Sequence, residues 1–174
     1  MDLSTQAARE QFRWPIAGSI DIAASAADVW HAISEPGNLV ASHPFCKDNP
    51  VEVWDCENSR DAVHYLNGVV YTRRFREWHE GSGYDLEIYH AKRKLAWVSW
   101  RIEALDDERA SLNITVYPLG LQHLKPIVRW APQLLFLGPK MRAYLNSVVR
   151  GFEWSITRGQ SVPRNQFGSH RWFS

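Results

Sequence analysis

SIDIAASAADVWHAISEPGNL, residues 19–39, changes its hydrophobic period within a few residues. In the run IAGSIDIA (16–23), Ile16, Gly18, Ile20 and Ile22 alternate onto one face, the pattern of a half-buried strand. Ser25 with Asp28 three residues later then has the form of a capping box, and Ala24 and Val29 flank it where a hydrophobic staple would sit. Val29, Trp30 and Ile33 share a helical face until Pro36-Gly37 stops the helix. A second short helical turn is expected through Leu39 and Val40 before His43-Pro44.

Downstream the period becomes two. VEVW (51–54), a segment near 62–66, a long run 69–78, then 84–90, 95–104 and 110–117 each read as a strand. Asn67-Gly68 lies between apolar runs and marks a hairpin whose turn positions need positive φ. Gly81-Ser82-Gly83, Lys92-Arg93-Lys94 and Asp106-Asp107-Glu108 supply the later turns, so the sheet is expected to be an antiparallel meander. From Leu119 the period turns helical. The segment around 121–137 carries Pro126 and Pro132 and is expected to be kinked or irregular. After Gly138-Pro139, the residues Met141, Tyr144, Leu145, Val148, Val149, Phe152 and Ile156 form one apolar stripe, with Gly159 as a stop. The fold class is therefore α+β: a curved seven-stranded antiparallel sheet wrapped around a long C-terminal helix, with two short helices after the first strand. A strongly curved sheet leaves a cavity against the helix. No repeat or low-complexity linker divides the chain, so residues 1–174 are expected to be one domain, with a core over 16–158 and a tail, 159–174, that packs back.

Composition narrows the function. The chain has 174 residues, long enough to bury roughly 70% of its unfolded surface. Nine Trp, six Tyr and seven Phe exceed what a small core needs for filling and suit a fold that encloses an apolar cavity. Twenty basic residues against nineteen acidic leave a net charge of +1, no field to attract a phosphate backbone, so no nucleic-acid partner is expected. MDLSTQAAREQF has no basic region followed by an apolar run, which places the expectation in the cytoplasm with Cys46 and Cys56 as reduced thiols. The stretch Ile127–Leu137 is too short to span a bilayer. It reads as core, as a gate over the cavity, or as a patch that touches a membrane transiently.

The order of elements, the stretch 19–39 and FREWHEGSGYDLEI (75–88) together resemble the START-like (SRPBCC) superfamily, which includes polyketide cyclases, and the long C-terminal helix falls where that superfamily has its grip helix. The resemblance covers residues 16–158. It implies a deep, mostly apolar pocket for a lipid, polyketide or other hydrophobic molecule, with no shared catalytic motif to carry over.

Candidate site residues follow from the alternation. Tyr71, Arg73, Phe75 and Glu77 share one face of the long strand; if that face is concave, Arg73 and Glu77 pair there as a polar handle for an anionic or enolic group. His90 joins them from the next strand and Trp100 from the one after, while Leu145, Val149 and Phe152 face the pocket from the helix. The expected ligand-binding set is Tyr71, Arg73, Phe75, His90, Trp100, Leu145, Val149 and Phe152. Tyr71, Glu77 and His90 are the candidates for proton transfer if the protein is a cyclase-, aromatase- or dehydrase-like enzyme rather than a binder. No cofactor is expected. His43-x-x-Cys46, with Cys56 and His64 further on, lacks the tight ligand pairs of a zinc site, so no metal is expected; His43 suits a pocket mouth instead. The tail NQFGSHRWFS (165–174) carries Phe167, Trp172 and Phe173, which are expected to dock onto the domain, onto a partner subunit or over a ligand. A monomer or homodimer is expected, and an interaction module is the third reading.

Overall fold

The computed structural model describes residues 15–119 and 137–174. Strand β1 (Ile16–Ile22) leads into α1 (Ala26–Ser34) and α2 (Leu39–Ser42). Two short strands, β2 (Cys46–Asp48) and β3 (Val51–Val53), and a 3-10 turn at Cys56–Asn58 precede the meander β4 (Arg60–Tyr65), β5 (Val70–His79), β6 (Gly83–His90), β7 (Arg93–Ala104) and β8 (Ala110–Pro118). Helix α3 (Gly138–Arg158) follows, and residues 159–174 return across the domain.

All the pairings are antiparallel, in the order β1-β8-β7-β6-β5-β4, and the free edge of β4 is shared end to end by β2 and β3. This is the curled sheet expected from the sequence, with seven strand positions. The short β2 was not expected, since three residues are too few to show a period. At the start of α1, Ser25 Oγ accepts from the Asp28 N–H at 3.2 Å and donates to the Asp28 carboxylate at 2.6 Å, so the two side chains close on each other at the helix entry. Gly68 has φ +85°, and the hairpin closes through Tyr65 N–H to Val69 O at 2.9 Å. Gly159, at φ +61°, terminates α3 by donating to Ser155 O.

Sheet curvature places the core. β5 carries a bulge between Phe75 and Glu77: Phe75 stands opposite Leu86, but Glu77 stands opposite Asp85. The extra residue reverses the alternation, so Trp78, not Glu77, joins Phe75 on the inner face. There Trp30, Trp54, Phe75, Trp78 and Tyr84 form one aromatic cluster, with ring centroids 4.9–6.0 Å apart for contacts such as Phe75–Tyr84 and Trp54–Trp78. Phe152 extends it from α3, 5.1 Å from Trp100. This end of the curled sheet, under α1, is solidly filled.

Candidate functional site: a polar-tipped apolar cavity

The other end is not filled. A cavity of about 290 Å³ lies between the inner sheet face and α3. Its walls come from inward positions of successive strands, including Val63, Leu86, Ile88, Ala96, Val98, Ile114 and Val116, and from Met141, Leu145 and Val148 on α3. Trp172 and Phe173 of the returning tail complete it. Phe173 is buried, its ring 4.5 Å from both Tyr65 and Tyr144, while Trp172 O accepts from Asn67 Nδ2 at 2.7 Å.

The polar groups on this wall are few, and His43, Tyr144 and Tyr65 among them are connected. His43, at the end of α2, is fully buried. Its Nδ1 accepts from the Phe45 N–H at 3.2 Å, and its Nε2 lies 2.9 Å from the Tyr144 hydroxyl, which lies 2.9 Å from the Tyr65 hydroxyl. Burial, with the nearby Arg73 charge as a smaller cause, pushes the His43 pKa from 6.5 down to about 3, so the ring is neutral in the physiological range. Burial likewise holds Tyr65 and Tyr144 above the ordinary tyrosine range, and both stay protonated.

Arg73 also reaches this wall, but its partner is not the expected one. Asp61, directly opposite on β4, accepts from Arg73 Nε at 2.7 Å and from Nη2 through its second oxygen. Nη2 also reaches Asn38 Oδ1 at 3.4 Å, and Asn49 Nδ2 donates to Asp61 at 3.0 Å, which ties β4 and β5 to the segment after α1. Burial works against the Arg73 charge; the Asp61 carboxylate more than offsets that and holds its pKa above the ordinary value. The expected Arg73–Glu77 handle does not form, because the bulge turns Glu77 to the opposite face, beside His79 and Asp85.

Of the residues expected to hold a ligand, Tyr71, Arg73, Trp100 and Leu145 line the cavity. Phe75, Val149 and Phe152 do not; they are buried in the filled core. His90 does not either: as the last residue of β6 it stands exposed at the hairpin rim, touching only the edge of the site through a ring contact with Tyr71 at 5.6 Å. The proton-transfer candidates Glu77 and His90 are thus off the cavity, and only Tyr71 is on it. Tyr65 and Tyr144 were missed as site residues, although Tyr144 lies on the apolar stripe of α3 and Tyr65 on the inward phase of β4. A hydroxyl on an otherwise apolar stripe was the available signal for Tyr144. His43 has both ring nitrogens engaged within the protein, and Cys46 and Cys56 are free thiols, the first buried and the second exposed. A different group, Glu77, His79 and Asp85, brings one ligand atom each within 4.8 Å of one another on the outer face, but Arg101 Nη2 already sits 2.6 Å from Asp85 there.

Comparison with known proteins bears on the fold. No family model and no curated protein matches the sequence. Solved structures do match. The Zhui aromatase/cyclase from Streptomyces sp. R1128 superposes with a TM-score of 0.60 at 17% identity, over 86% of this chain and 99% of that one. A START superfamily protein from Mycobacterium smegmatis gives 0.60 at 14% identity, over 84% and 99%. DynU16, from the dynemicin biosynthetic locus, gives 0.64 at 11% identity over 84% of this chain; the chain spans about half the length of that protein, 48%. The chain therefore has the START-like helix-grip fold. Among the described residues, no helix is long and apolar enough to cross a membrane.

Proposed function

We propose that the protein binds a hydrophobic small molecule in the cavity between sheet and α3. The observation that carries this reading is the cavity itself: about 290 Å³, close to the lower end of the roughly 300–1,000 Å³ usual for ligand sites, with mainly aliphatic and aromatic walls and a few convergent polar groups. A chain with this many large side chains would ordinarily close such a space by packing, as it does under α1.

The test is titration with the neutral fluorophore N-phenyl-1-naphthylamine, together with solvent extraction of the purified protein to identify any co-purifying molecule. Saturable binding to the wild type is expected. Ala96 projects into the cavity from β7, so Ala96→Phe should weaken binding at least about tenfold while the fold persists. Equal binding by this variant would place the ligand elsewhere and sink the reading.

A cyclase-, aromatase- or dehydrase-like enzyme is the second reading, favoured by the contact of an imidazole and two phenols on one cavity wall. In that case Tyr65, Tyr144 and Tyr71 replace Glu77 and His90 as the groups placed to move a proton. Chromatographic recovery of the bound molecule unchanged after prolonged incubation would count against it.

A further inference from the structure

The hydrogen-bond directions in the His43–Tyr144–Tyr65 chain leave one donor over. The Phe45 N–H points at Nδ1 of His43, so Nδ1 is the acceptor and the single proton of the neutral ring is on Nε2. Nε2–H therefore donates to the Tyr144 oxygen. Two phenolic protons remain for the two tyrosines, and only one can lie in the 2.9 Å contact between them. Neither can go back to His43, which has no lone pair left. Among the described residues no further acceptor bonds either hydroxyl. Whichever way the Tyr–Tyr bond runs, one O–H on this cavity wall is unspent among the described residues, and a buried unmade donor costs about 1–3 kcal/mol.

Among the described residues the same wall offers no unbalanced positive charge. Arg73 is the one lysine or arginine among the described lining residues; the Asp61 carboxylate balances its charge and takes Nε and Nη2, while the buried Nη1 has no hydrogen-bond partner among them, a second donor that the double variant below separates from the phenols. His43 is neutral. An anion brought into the cavity would lose its hydration without gaining a counter-charge.

We propose that the ligand is a neutral, apolar, ring-bearing molecule that presents a carbonyl-type oxygen to the unspent hydroxyl of the Tyr65–Tyr144 pair. The carbonyl has lone pairs and no proton, which is what the surplus donor lacks. Trp100, Trp172 and Phe173 give the remaining wall flat apolar faces for a ring. This assignment rests on the cavity being the binding site, and it specifies what that site selects.

Three probes of nearly equal shape test it in the full-length protein, by displacement of N-phenyl-1-naphthylamine: 2-acetylnaphthalene, the isosteric hydrocarbon 2-isopropenylnaphthalene, and the anion 2-naphthoate. The wild type should bind the ketone roughly threefold to tenfold more tightly than the hydrocarbon, the increment of one neutral hydrogen bond, and more tightly still than the anion. Either single variant, Tyr65→Phe or Tyr144→Phe, leaves one hydroxyl in place, so each should keep a ketone preference. The double variant Tyr65→Phe/Tyr144→Phe should lose it while still binding the hydrocarbon. Equal affinity for ketone and hydrocarbon in the wild type overturns the assignment and leaves the cavity reading intact. So does a preference for 2-naphthoate, or a ketone preference that survives in the double variant. If the fluorophore does not bind the wild type at all, the cavity reading fails and this assignment with it. Should the double variant not fold, the single variants are compared with the wild type: a ketone preference that changes in at least one of them supports the assignment, and one unchanged in both overturns it.

Discussion

Arg73 and Asp61 face each other across β5 and β4, both almost fully buried, with Arg73 Nε 2.7 Å from one carboxylate oxygen and Nη2 bonded to the other. The pair stands at the boundary between the filled half of the sheet and the cavity, and it fixes the strand edge on which Tyr65 is carried. Because the two charges are satisfied mainly by each other, removing one strands its partner. Asp61→Ala should destabilise the fold by about 3–5 kcal/mol, whereas Asp61→Leu combined with Arg73→Met should recover most of that loss, since an apolar pair of similar volume replaces a desolvated ion pair. Urea unfolding of the two variants and the wild type measures this. A single variant within about 1 kcal/mol of the wild type would show that water reaches the pair.

His43 should give the fold an acid-sensitive component. Its folded pKa, about 3, lies below the 6.5 of the unfolded chain, so the unfolded state takes up a proton first as the pH falls. The stabilisation is whole above about pH 6.5 and declines from there toward pH 3. By pH 5 the wild type should have lost about 2 kcal/mol through this group. His43→Gln keeps an amide N–H to offer Tyr144 but cannot titrate. The informative quantity is the difference in urea midpoints between pH 7.5 and pH 5 for the two proteins. Parallel pH dependences would mean that His43 is charged in the folded state.

How much of this was legible in the sequence differs between fold and site. Alternation in 16–22 and 60–118, the Asn67-Gly68 turn and the stripe Met141–Phe152 are local periodic signals, and each element they imply exists. The bulge at Phe75–Glu77 left no such mark: the alternation Tyr71, Arg73, Phe75, Glu77 continues in the sequence while the backbone slips by one. That slip exchanged Glu77 for Trp78 on the inner face and transferred the partnership of Arg73 to Asp61. Nor does periodicity say how far along a concave face the filling extends, so Phe75 and Phe152 were placed in the cavity rather than in the core beside it. The hydroxyl pair joins residues 79 positions apart, and its histidine lies 101 positions from Tyr144. Only tertiary closure of α3 onto β4 and α2 brings these three together.

Phe173 should contribute to stability as a core residue does, although it lies outside every helix and strand, in the segment that follows α3. Its ring is 5% exposed and contacts Tyr65, Tyr144 and His170, the last stacked at 5.3 Å. The segment before it is held by backbone bonds from Val162 to Ala41 and from Asn165 to Pro44. Phe173→Ala should therefore cost about 2–4 kcal/mol, somewhat less than a central phenylalanine because the cavity already borders the ring. Deletion of residues 165–174 should lower the melting temperature further. A truncated protein that melts with the wild type would show that these contacts contribute nothing to stability.

Gly151 offers a prediction of sign. In the middle of a helix, Gly to Ala ordinarily stabilises by roughly 1 kcal/mol through backbone entropy and propensity. Here α3 crosses α2 at Gly151: an added Cβ would collide with the Ser42 carbonyl oxygen and come within 2.9 Å of Pro44 Cδ. Both obstacles belong to a short, braced segment, since Ser42 Oγ is bonded to Ser155 Oγ on the same helix at 2.7 Å and His43 follows immediately. Relief would require α3 to move off α2, loosening the 2.9 Å contact between His43 Nε2 and the Tyr144 hydroxyl. Gly151→Ala should thus destabilise, by about 2 kcal/mol or more, the range of an overpacked core site. It should also blunt the ketone preference of the cavity, because the helix carries Tyr144. Thermal unfolding reads the first effect and probe displacement the second. A stabilised Gly151→Ala protein would mean that α3 is not seated on α2 at this crossing.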